Sequence, residues 1–418
     1  MNVTDLPARD YDELTTGCPF STLRRLRDEA PLLRLTSADP NKNLVLFTDP
    51  ADILAIINDP ETFSSTDHAQ SRRFDSDFTP KTACVYAGHQ TNLKPVLVWS
   101  DGVDHQRVRR LVHTAFSVPR VNAKSPYIQE FVDELIDDFQ SGGTLDFVER
   151  YAFLLPSRVI TRELGLQPAD VPLVQDITNA ISAAMDLASP PEVVEAAADV
   201  VVRLHDMLRQ RLDNIDALPE NCLLRDLVTA RNEDTPALTR DELLWLSTLL
   251  LAAGGHTSAA MIGWSVYLLA EQPDIQARLR ADPSLVPAFV EEALRLHGPV
   301  PTTYRTVTRD TRIRDVELKK GSWVIVRWDS VNLDERKFPE PETLDLHRPN
   351  IRQHSTFGLG KHFCIGNQLA RREMTLTLES LLRRFSDIRF TKDQASIALI
   401  PSFDGHMLAE LPLTLVPA

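Results

Sequence analysis

A long apolar segment between Thr239 and Ala270 sets the main constraint on the fold. Its apolar spacing predicts one helix of roughly 30 residues, about 46 Å long at 1.5 Å per residue. Thr239 and Glu242 have the spacing of a capping box at its start. Gly254 and Gly255 lie at its centre, where each costs about 1 kcal/mol relative to alanine. Packing or function must offset that cost.

One face of this helix carries mostly small residues at helical spacing: Leu249, Ala252, Ala253, His256, Thr257 and Ala260. A flat, bulky ligand could lie against such a face. The alternative is close helix packing, with the Thr257 hydroxyl bonded to a carbonyl one turn earlier. The helix alone does not distinguish the two interpretations.

The remaining patterns predict a mainly helical chain with small β-sheets, which is the α+β class. Residues 31–50 are typical of a hairpin, and a short helix should follow near 50–58. We find no linker or repeat, so residues 1–418 are expected to form one domain. Its parts are a β-richer region at about 30–60, a helical body at about 103–300, a β and loop region at about 301–366, and a final helix with strands at 367–418.

The formal net charge of −14 argues against nucleic acid as the main partner, because phosphate binding relies on clustered lysine and arginine. The N-terminus has no apolar signal core, and no run reaches the roughly 20 consecutive apolar residues that span a bilayer. Four widely spaced cysteines without a Cys-x-x-Cys motif fit a reducing compartment. We therefore expect a cytoplasmic protein that binds neither nucleic acid nor a membrane.

The segment from Phe357 to Glu373 is the second constraint. Gly358 and Gly360 permit a tight loop, and Cys364 lies two residues before Gly366, where an amphipathic helix begins. Backbone amides and the positive end of the helix dipole favour a thiolate at that position. Cys364 is therefore a candidate thiolate ligand or nucleophile rather than a small buried hydrophobic residue.

This segment resembles the haem-binding loop of the cytochrome P-450 family, Phe-x-x-Gly-x-x-x-Cys-x-Gly. The motif positions are occupied by Phe357, Gly360, Cys364 and Gly366. Glu292 and Arg295 match the family's Glu-x-x-Arg, and Arg348 matches the later arginine of the salt-bridged core beneath the haem loop. The resemblance covers the chain from the hairpin to the last strands and is closest to the soluble bacterial type. It implies a cytochrome P-450 fold with the long central helix over the haem.

The resemblance also implies haem b as the cofactor, with Cys364 as the axial ligand of its iron. A thiolate ligand pushes electron density onto iron and favours cleavage of the oxygen–oxygen bond. The family match assigns the haem propionates to His105, Arg109, Arg305 and His362. It places Phe357, Gly358, Gly366 and Ala253 against the cofactor.

The central helix resembles the family's distal helix, whose Ala/Gly-Gly-x-Asp/Glu-Thr-Thr/Ser pattern here becomes Ala253 to Ser258. Small residues would let the helix pass close over the ring, and weakened helical bonding is expected to open a groove for dioxygen and water. His256, Thr257 and Ser258 are the candidate catalytic residues. His256 replaces the family acid, and its ordinary pKa of about 6.5 suits a proton relay. The alternative is a histidine turned to solvent or bonded to a neighbouring helix.

The implied activity is that of a monooxygenase acting on a mainly apolar organic substrate. Dioxygen is the oxidant, and electrons are expected from a ferredoxin or flavodoxin with an NAD(P)H-dependent reductase, because the chain shows no flavin or nicotinamide domain. A peroxide-using or oxidative-coupling haem-thiolate enzyme and a non-enzymatic haem-based sensor remain alternatives. Five cations should form a basic patch that steers an acidic ferredoxin: Arg107, Arg110, Lys361, Arg371 and Arg372.

The substrate pocket is assigned by family position and is expected to be mainly apolar. Its expected lining is Val85, Leu249, Ala253, Val300, Thr303 and Phe403. Thr303 and His406 are candidate polar anchors.

Overall fold

The structure, a computed structural model, describes residues 4–17, 19–35, 43–66, 96–185, 191–231 and 236–418. Its helices are α1 (Ala8–Thr16), α2 (Phe20–Glu29), α3 (Pro50–Asn58), α4 (Gly102–His113), α5 (Val118–Asp137), α6 (Leu154–Glu163), α7 (Val171–Met185), α8 (Pro191–Asp213), α9 (Leu223–Thr229), α10 (Arg240–Glu271), α11 (Pro273–Ala281), α12 (Val286–Leu296), α13 (Trp328–Asn332) and α14 (Asn367–Arg384). Its strands are β1 (Thr4–Asp5), β2 (Leu32–Leu35), β3 (Leu44–Phe47), β4 (Phe63–Ser64), β5 (Gly143–Asp146), β6 (Thr302–Val307), β7 (Thr311–Ile313), β8 (Val316–Leu318), β9 (Trp323–Arg327), β10 (Phe385–Phe390) and β11 (Pro412–Pro417).

Helix α10 is the predicted central helix. It begins after the predicted capping box, in which the Glu242 amide donates to Thr239 Oγ1 at 3.2 Å and the Thr239 amide donates to Glu242 Oε2 at 2.8 Å. By length and composition alone α10 could cross a bilayer, but 78% of its most apolar window is buried inside the protein. It is therefore a core helix.

Buried apolar residues divide along α10. The half from Leu243 to Ala252 belongs to one hydrophobic cluster, and the half from Met261 to Ala270 belongs to another. The polar and small residues between them, including both central glycines, separate the two clusters. The fold therefore leaves the middle of α10 as the place where a cavity can form.

The largest sheet has the strand order β1-β2-β3-β9-β6-β4. Strands β2 and β3 form the predicted antiparallel hairpin with Leu32 opposite Phe47, although its turn lies outside the described residues. Strand β9 then pairs parallel with β3 and antiparallel with β6, which places Arg305 opposite Val324. This pairing fixes the register of β6 and thereby the position of the Arg305 side chain.

The structure adds one strand inside the region predicted to be helical. Beyond the end of α5 at Asp137, Gly142 and Gly143 adopt φ values of 74° and 106°, which favour glycine. Strand β5 follows and pairs antiparallel with β11, with Leu145 opposite Leu413. Local periodicity misses this strand because its hydrogen-bonding partner lies near the other end of the chain.

Candidate active site

A cavity of about 320 Å³ lies between the middle of α10 and the loop that precedes α14. Its walls are mostly apolar, which suits an apolar ligand. The apolar lining includes Leu97, Phe116, Val159, Ile160, Met261 and Leu369. Cys364 and the four residues assigned by family match to the haem propionates also lie in this wall.

The Cys364 loop has the geometry that its glycines predict. Gly358 and Gly360 adopt φ values of 72° and 69°, and a Cβ on Gly360 would lie 3.2 Å from Ile57 Cγ2. The Cys364 amide donates to the Phe357 carbonyl at 2.8 Å, which closes the loop. Helix α14 begins at Asn367, as predicted, so the thiol lies at the helix N-terminus.

Electrostatics at this thiol differ from the sequence-based expectation. Burial raises the pKa of Cys364, although the Gly366 amide and the charges of Arg109 and Arg371 act to lower it. The helix terminus alone therefore does not favour the thiolate, contrary to the expectation. Coordination to a metal ion removes the proton from a thiol outright.

A rim that contains two arginines and two histidines lies beside the thiol. The His105 and His362 ring centroids are 4.3 Å apart, and Arg109 Nη2 donates to the Phe363 carbonyl at 2.6 Å. Arg305 reaches the same rim from β6. The structure thus brings together four side chains from three separate segments of the chain.

This rim fits the two carboxylates of a haem. His105 Nε2 is buried and has no hydrogen-bond partner among the described residues, so one donor or acceptor is left for a ligand. Burial lowers the pKa of His105 to about 4, with His362 and Arg109 adding to the effect, and burial lowers that of Arg305 to about 10. An anion bound at the rim would raise the pKa of both His105 and Arg305, because it stabilises their charged forms.

Asp101 is a residue of this rim that the sequence analysis missed. Its Oδ1 lies 3.1 Å from His362 Nε2, while Oδ2 accepts hydrogen bonds from Ser64 and from the amides of Ser65 and Thr66 at 2.7–3.0 Å. Burial acts to raise the pKa of Asp101, but these hydrogen bonds outweigh it and lower that pKa well below its usual range. The sequence feature that could have identified Asp101 is a carboxylate four residues, or one helical turn, before His105.

The face of α10 that lines the cavity is rotated from the predicted one. The lining residues are Leu249, Leu250, Ala253, Gly254, Thr257, Ser258 and Met261. Ala252, His256 and Ala260, predicted on this face, lie beside it instead. The α-helix is also unbroken from Arg240 to Glu271, so the expected local opening at the glycines is absent there.

His256 points away from the cavity towards α7. Its Nε2 lies 2.7 Å from Asn179 Oδ1, and its ring meets Phe153 edge to face at 5.4 Å. Burial lowers the pKa of His256 to about 4. This is the contact with a neighbouring helix that the sequence analysis held open as the alternative to a proton relay.

Thr257 and Ser258 do line the cavity. The Thr257 hydroxyl donates to the Ala253 carbonyl one turn earlier. Its oxygen keeps lone pairs that can accept a hydrogen bond from a ligand.

Glu292, Arg295 and Arg348 form the buried core expected beneath the loop. Arg295 Nε and Arg348 Nε donate to Glu292 Oε1 at 2.6 and 3.1 Å. The Asp345 amide donates to Glu292 Oε2 at 2.8 Å. This network ties α12 to the irregular stretch that leads to the Cys364 loop.

The expected substrate-pocket residues divide into three groups. Leu249, Ala253, Val300 and Thr303 lie in the cavity wall. Val85 lies outside the described residues. Phe403 stacks on Tyr11 at 5.5 Å instead, and His406 packs on Trp264 at 4.5 Å, so neither of these two residues reaches the cavity. Their positions depend on long-range packing of the chain end, which local sequence does not specify.

The predicted basic patch is smaller than expected. Arg107 forms an ion pair with the buried Glu242, and Arg371 Nε lies 2.7 Å from Glu291 Oε1, so both are neutralised. The other three are Arg372, which is half-buried, and Arg110 and Lys361, which are exposed.

Comparisons with known proteins establish the family of this chain. A family model described as Cytochrome P450 matches residues 191–397. Cytochrome P450 105A3 of Streptomyces carbophilus is 33% identical over 406 residues, which cover 95% of this chain and 94% of that protein. The chain belongs to the cytochrome P450 family.

A second curated relative and a solved structure are also similar to this chain over most of its length. The 6-deoxyerythronolide B hydroxylase of Saccharopolyspora erythraea is 35% identical over 316 residues, covering 76% of this chain and 77% of its own. The solved structure of cytochrome P450 CYP109Q5 from Chondromyces apiculatus matches with a TM-score of 0.83 at 27% identity, covering 100% of this chain and 98% of the other. The predicted fold, the haem cofactor and the oxidoreductase class are thereby confirmed.

Proposed function

We propose that this cytochrome P450 inserts one oxygen atom of dioxygen into a mainly apolar organic substrate. Each turnover takes up dioxygen, two electrons and two protons, and it releases the hydroxylated substrate and one water. The observation that carries the proposal is the composition of the cavity: a thiol on one side, a rim of arginines and histidines, and apolar walls elsewhere.

In this proposal the Cys364 thiolate would hold the haem iron. Bound haem supplies the dioxygen and one-electron chemistry that side chains lack. The propionates are held by His105, Arg109, Arg305 and His362. Asp101 orients His362 through the 3.1 Å contact described above.

The middle of α10 handles protons and positions the substrate. Thr257 accepts a hydrogen bond in the cavity, and Ser258 lies beside it in the wall. Leu249, Ala253 and Val300 exclude water from the reacting region, which strengthens every polar contact inside it. A relay through His256 is not part of this proposal, because its side chain contacts Asn179.

Electrons come, in this proposal, from a ferredoxin or flavodoxin whose reductase uses NAD(P)H. The exposed cation Lys361 lies on the loop that carries Cys364, and its charge is complementary to an acidic carrier. We place the enzyme in the cytoplasm with these carriers.

A spectrum of the reduced, carbon monoxide-bound protein tests the haem-thiolate assignment. A strongly red-shifted Soret band supports it, and absence of haem absorbance contradicts it. A binding screen read by the haem spin state should then cover terpenoids, aromatic ethers and acids, fatty acids and macrolide-like compounds. Turnover of a hit under ¹⁸O₂ should place one labelled atom in the product, whereas label drawn from water would contradict oxygen insertion.

A further inference from the structure

Strand β6 presents two different faces. The hydroxyls of Thr302 and Tyr304 both donate to Asp404 Oδ1, and neither residue lines the cavity. Thr303 and Arg305 alternate with them and do line it. Antiparallel pairing with β9 along the strand fixes this alternation, because a slip of one residue would exchange the two faces. The fold therefore holds the Thr303 side chain in the cavity wall.

The Thr303 hydroxyl oxygen accepts a hydrogen bond from Trp328, which also lines the cavity. Trp328 Nε1 lies 3.1 Å from Thr303 Oγ1, and an indole N–H can only donate. The main chain holds the pair together, since the Trp328 amide donates to the Pro301 carbonyl at 2.7 Å. A hydroxyl has one proton and two lone pairs. Trp328 therefore occupies one lone pair and leaves the Thr303 proton for another acceptor.

The Thr303 hydroxyl differs from the other hydroxyls of the cavity wall. Each of the others has its hydrogen bond within the protein: Thr257 with the Ala253 carbonyl, Thr356 with the Leu294 carbonyl, and Ser258 with the Glu373 side chain. Within the described ranges, the Thr303 proton has no acceptor. Outside the rim of arginines and histidines, Thr303 is thus the donor that the described wall leaves for a ligand.

The rest of the wall decides which acceptor suits this donor. Leu249, Ala253 and Val300 are apolar and lie in the same cavity. A carboxylate bound there by one neutral hydroxyl would be buried without a counter-ion, which is costly. An uncharged carbonyl oxygen carries no such cost, and it cannot donate a competing hydrogen bond.

We propose that the Thr303 hydroxyl, oriented by Trp328, selects substrates that carry an uncharged carbonyl oxygen, as in a ketone, ester or lactone. The hydroxyl donates to that oxygen while the apolar wall contacts the remainder of the molecule. Trp328 acts through Thr303 and is a positioning residue. This inference rests on the proposed function, because it names the class of apolar substrate that the same cavity takes.

Ligand affinity tests the donor directly. Cyclooctanone, cyclooctanol and cyclooctane differ at one ring carbon, and the haem spin-state shift measures their dissociation constants. Thr303→Val should weaken cyclooctanone binding by about 2- to 12-fold, the usual net effect of one neutral hydrogen bond, and leave cyclooctane binding unchanged. Thr303→Ser keeps the hydroxyl and should keep the affinity for the ketone. Equal changes for ketone and hydrocarbon in Thr303→Val overturn the inference.

Thr306→Val is the matched control. Thr306 lies on the same strand but alternates with Thr303, and its buried hydroxyl has no hydrogen-bond partner in the part of the chain that the structure describes. The variant removes a hydroxyl from β6 outside the cavity wall, so cyclooctanone should bind as it does to the unmodified protein. A selective loss of ketone affinity here as well would show that the strand shifts as a whole, and it would overturn the direct contact.

Trp328→Phe tests the orientation of the hydroxyl. It removes the indole N–H and keeps an aromatic ring, so the Thr303 oxygen is released to accept a hydrogen bond from a ligand. The preference for cyclooctanone over cyclooctanol, which brings its own donor, should therefore fall. An unchanged preference would overturn the role of Trp328.

Infrared spectroscopy detects the hydrogen bond without turnover. The carbonyl band of bound ¹³C-labelled cyclooctanone should lie at lower frequency in the unmodified protein and in Thr303→Ser than in Thr303→Val. The same frequency in all three proteins contradicts the inference.

Haem retention separates a contact to the substrate from a contact to the cofactor. If Thr303 donated to a haem carboxylate, Thr303→Val would release haem faster to apomyoglobin and would leave the ketone preference unchanged, which would overturn the inference. The carbon monoxide spectrum separates the two proposals. A protein without the thiolate band fails the proposed function, whereas a protein with that band and no ketone preference fails only this inference.

Discussion

Gly255 on α10 lies directly against Thr178 on α7, so that a Cβ on Gly255 would stand 2.7 Å from Thr178 Cγ2. A contact that short forces one side chain or helix to move. A Cβ added to the neighbouring Gly254 would have no atom of another described side chain or segment within 4 Å, and Gly254 lines the cavity. The two central glycines therefore serve different purposes: Gly255 permits helix packing, and Gly254 leaves space in the cavity.

Gly255→Ala should lower the free energy of unfolding. Overpacking typically costs about 1–3 kcal/mol, which is more than the roughly 1 kcal/mol gained from the helix propensity of alanine. Gly254→Ala is the matched control and should stabilise the protein by up to about 1 kcal/mol. Chemical denaturation of both variants measures the difference. Adding Thr178→Ala to Gly255→Ala should restore stability, and equal effects of the two glycine substitutions would contradict this packing account.

Cys364→His should retain part of the haem but lose the thiolate spectrum and the oxygenase activity, because imidazole cannot supply the same electron push. Cys222→Ala is a suitable control, since Cys222 is buried in a different hydrophobic cluster. The measurement is the reduced carbon monoxide spectrum together with substrate turnover. Full activity in Cys364→His would refute the assignment of the axial ligand.

Arg305→Leu should weaken haem retention. A hydrogen bond to a charged group contributes about 1.5–3 kcal/mol, which corresponds to roughly 10- to 150-fold faster haem loss. Transfer of haem to apomyoglobin measures this rate. Arg309→Leu, an exposed arginine just beyond the same strand, should leave the rate unchanged. Equal rates for the two variants would remove Arg305 from the propionate site.

Lys361→Glu should slow reduction of the haem by an acidic ferredoxin, and the rate for the unmodified protein should fall as salt is added. Lys320→Glu makes the same charge change on an exposed lysine before β9 and is the control. Stopped-flow reduction at several ionic strengths measures both effects. A rate that is insensitive to salt and to Lys361→Glu would argue against electrostatic docking at this loop.

His256 should affect acid stability rather than the pH dependence of catalysis near neutrality. Its native pKa of about 4 lies below the ordinary value of 6.5, so the unfolded state binds more protons between these values. Stability is therefore lost as pH falls from about 6.5 towards 4, and His256→Gln should reduce that loss. Thermal unfolding across this range measures it. A strong change in peroxide release around pH 6.5 that His256→Gln abolishes would restore the relay interpretation.

Local sequence was sufficient for the parts of the site that lie on one continuous segment. The Cys364 loop, the start of α14 and the capping box of α10 each depend on residues close together in the chain. The rotation of α10 was not predicted, because periodicity shows that a face exists but not which neighbouring helix covers it. Thr178 and Asn179 on α7 contact α10 at Gly255 and His256, and both contacts are long-range.

Two carboxylates illustrate what else was missed. Asp101 lies one turn before His105, and Glu373 lies in the cavity wall on the buried face of α14, seven residues after Gly366. A charged residue on an otherwise apolar face was a usable signal for Glu373. That the described residues provide it with no counter-ion depends, in contrast, on the packing of α5, α6 and α10 and is visible only in the structure.

The two arginines around Glu292 bind carbonyl groups of the main chain, so the network depends on the path of the main chain and not on the side chains of that segment. Arg295 donates to the carbonyls of Pro341 and Thr343 at 2.6 and 3.1 Å, and Arg348 donates to those of Pro339 and Glu340 at 2.8 and 3.3 Å. A carbonyl oxygen is present whatever the residue. The segment that supports the Cys364 loop can therefore diverge in sequence between related enzymes while the two arginines and Glu292 keep its path unchanged.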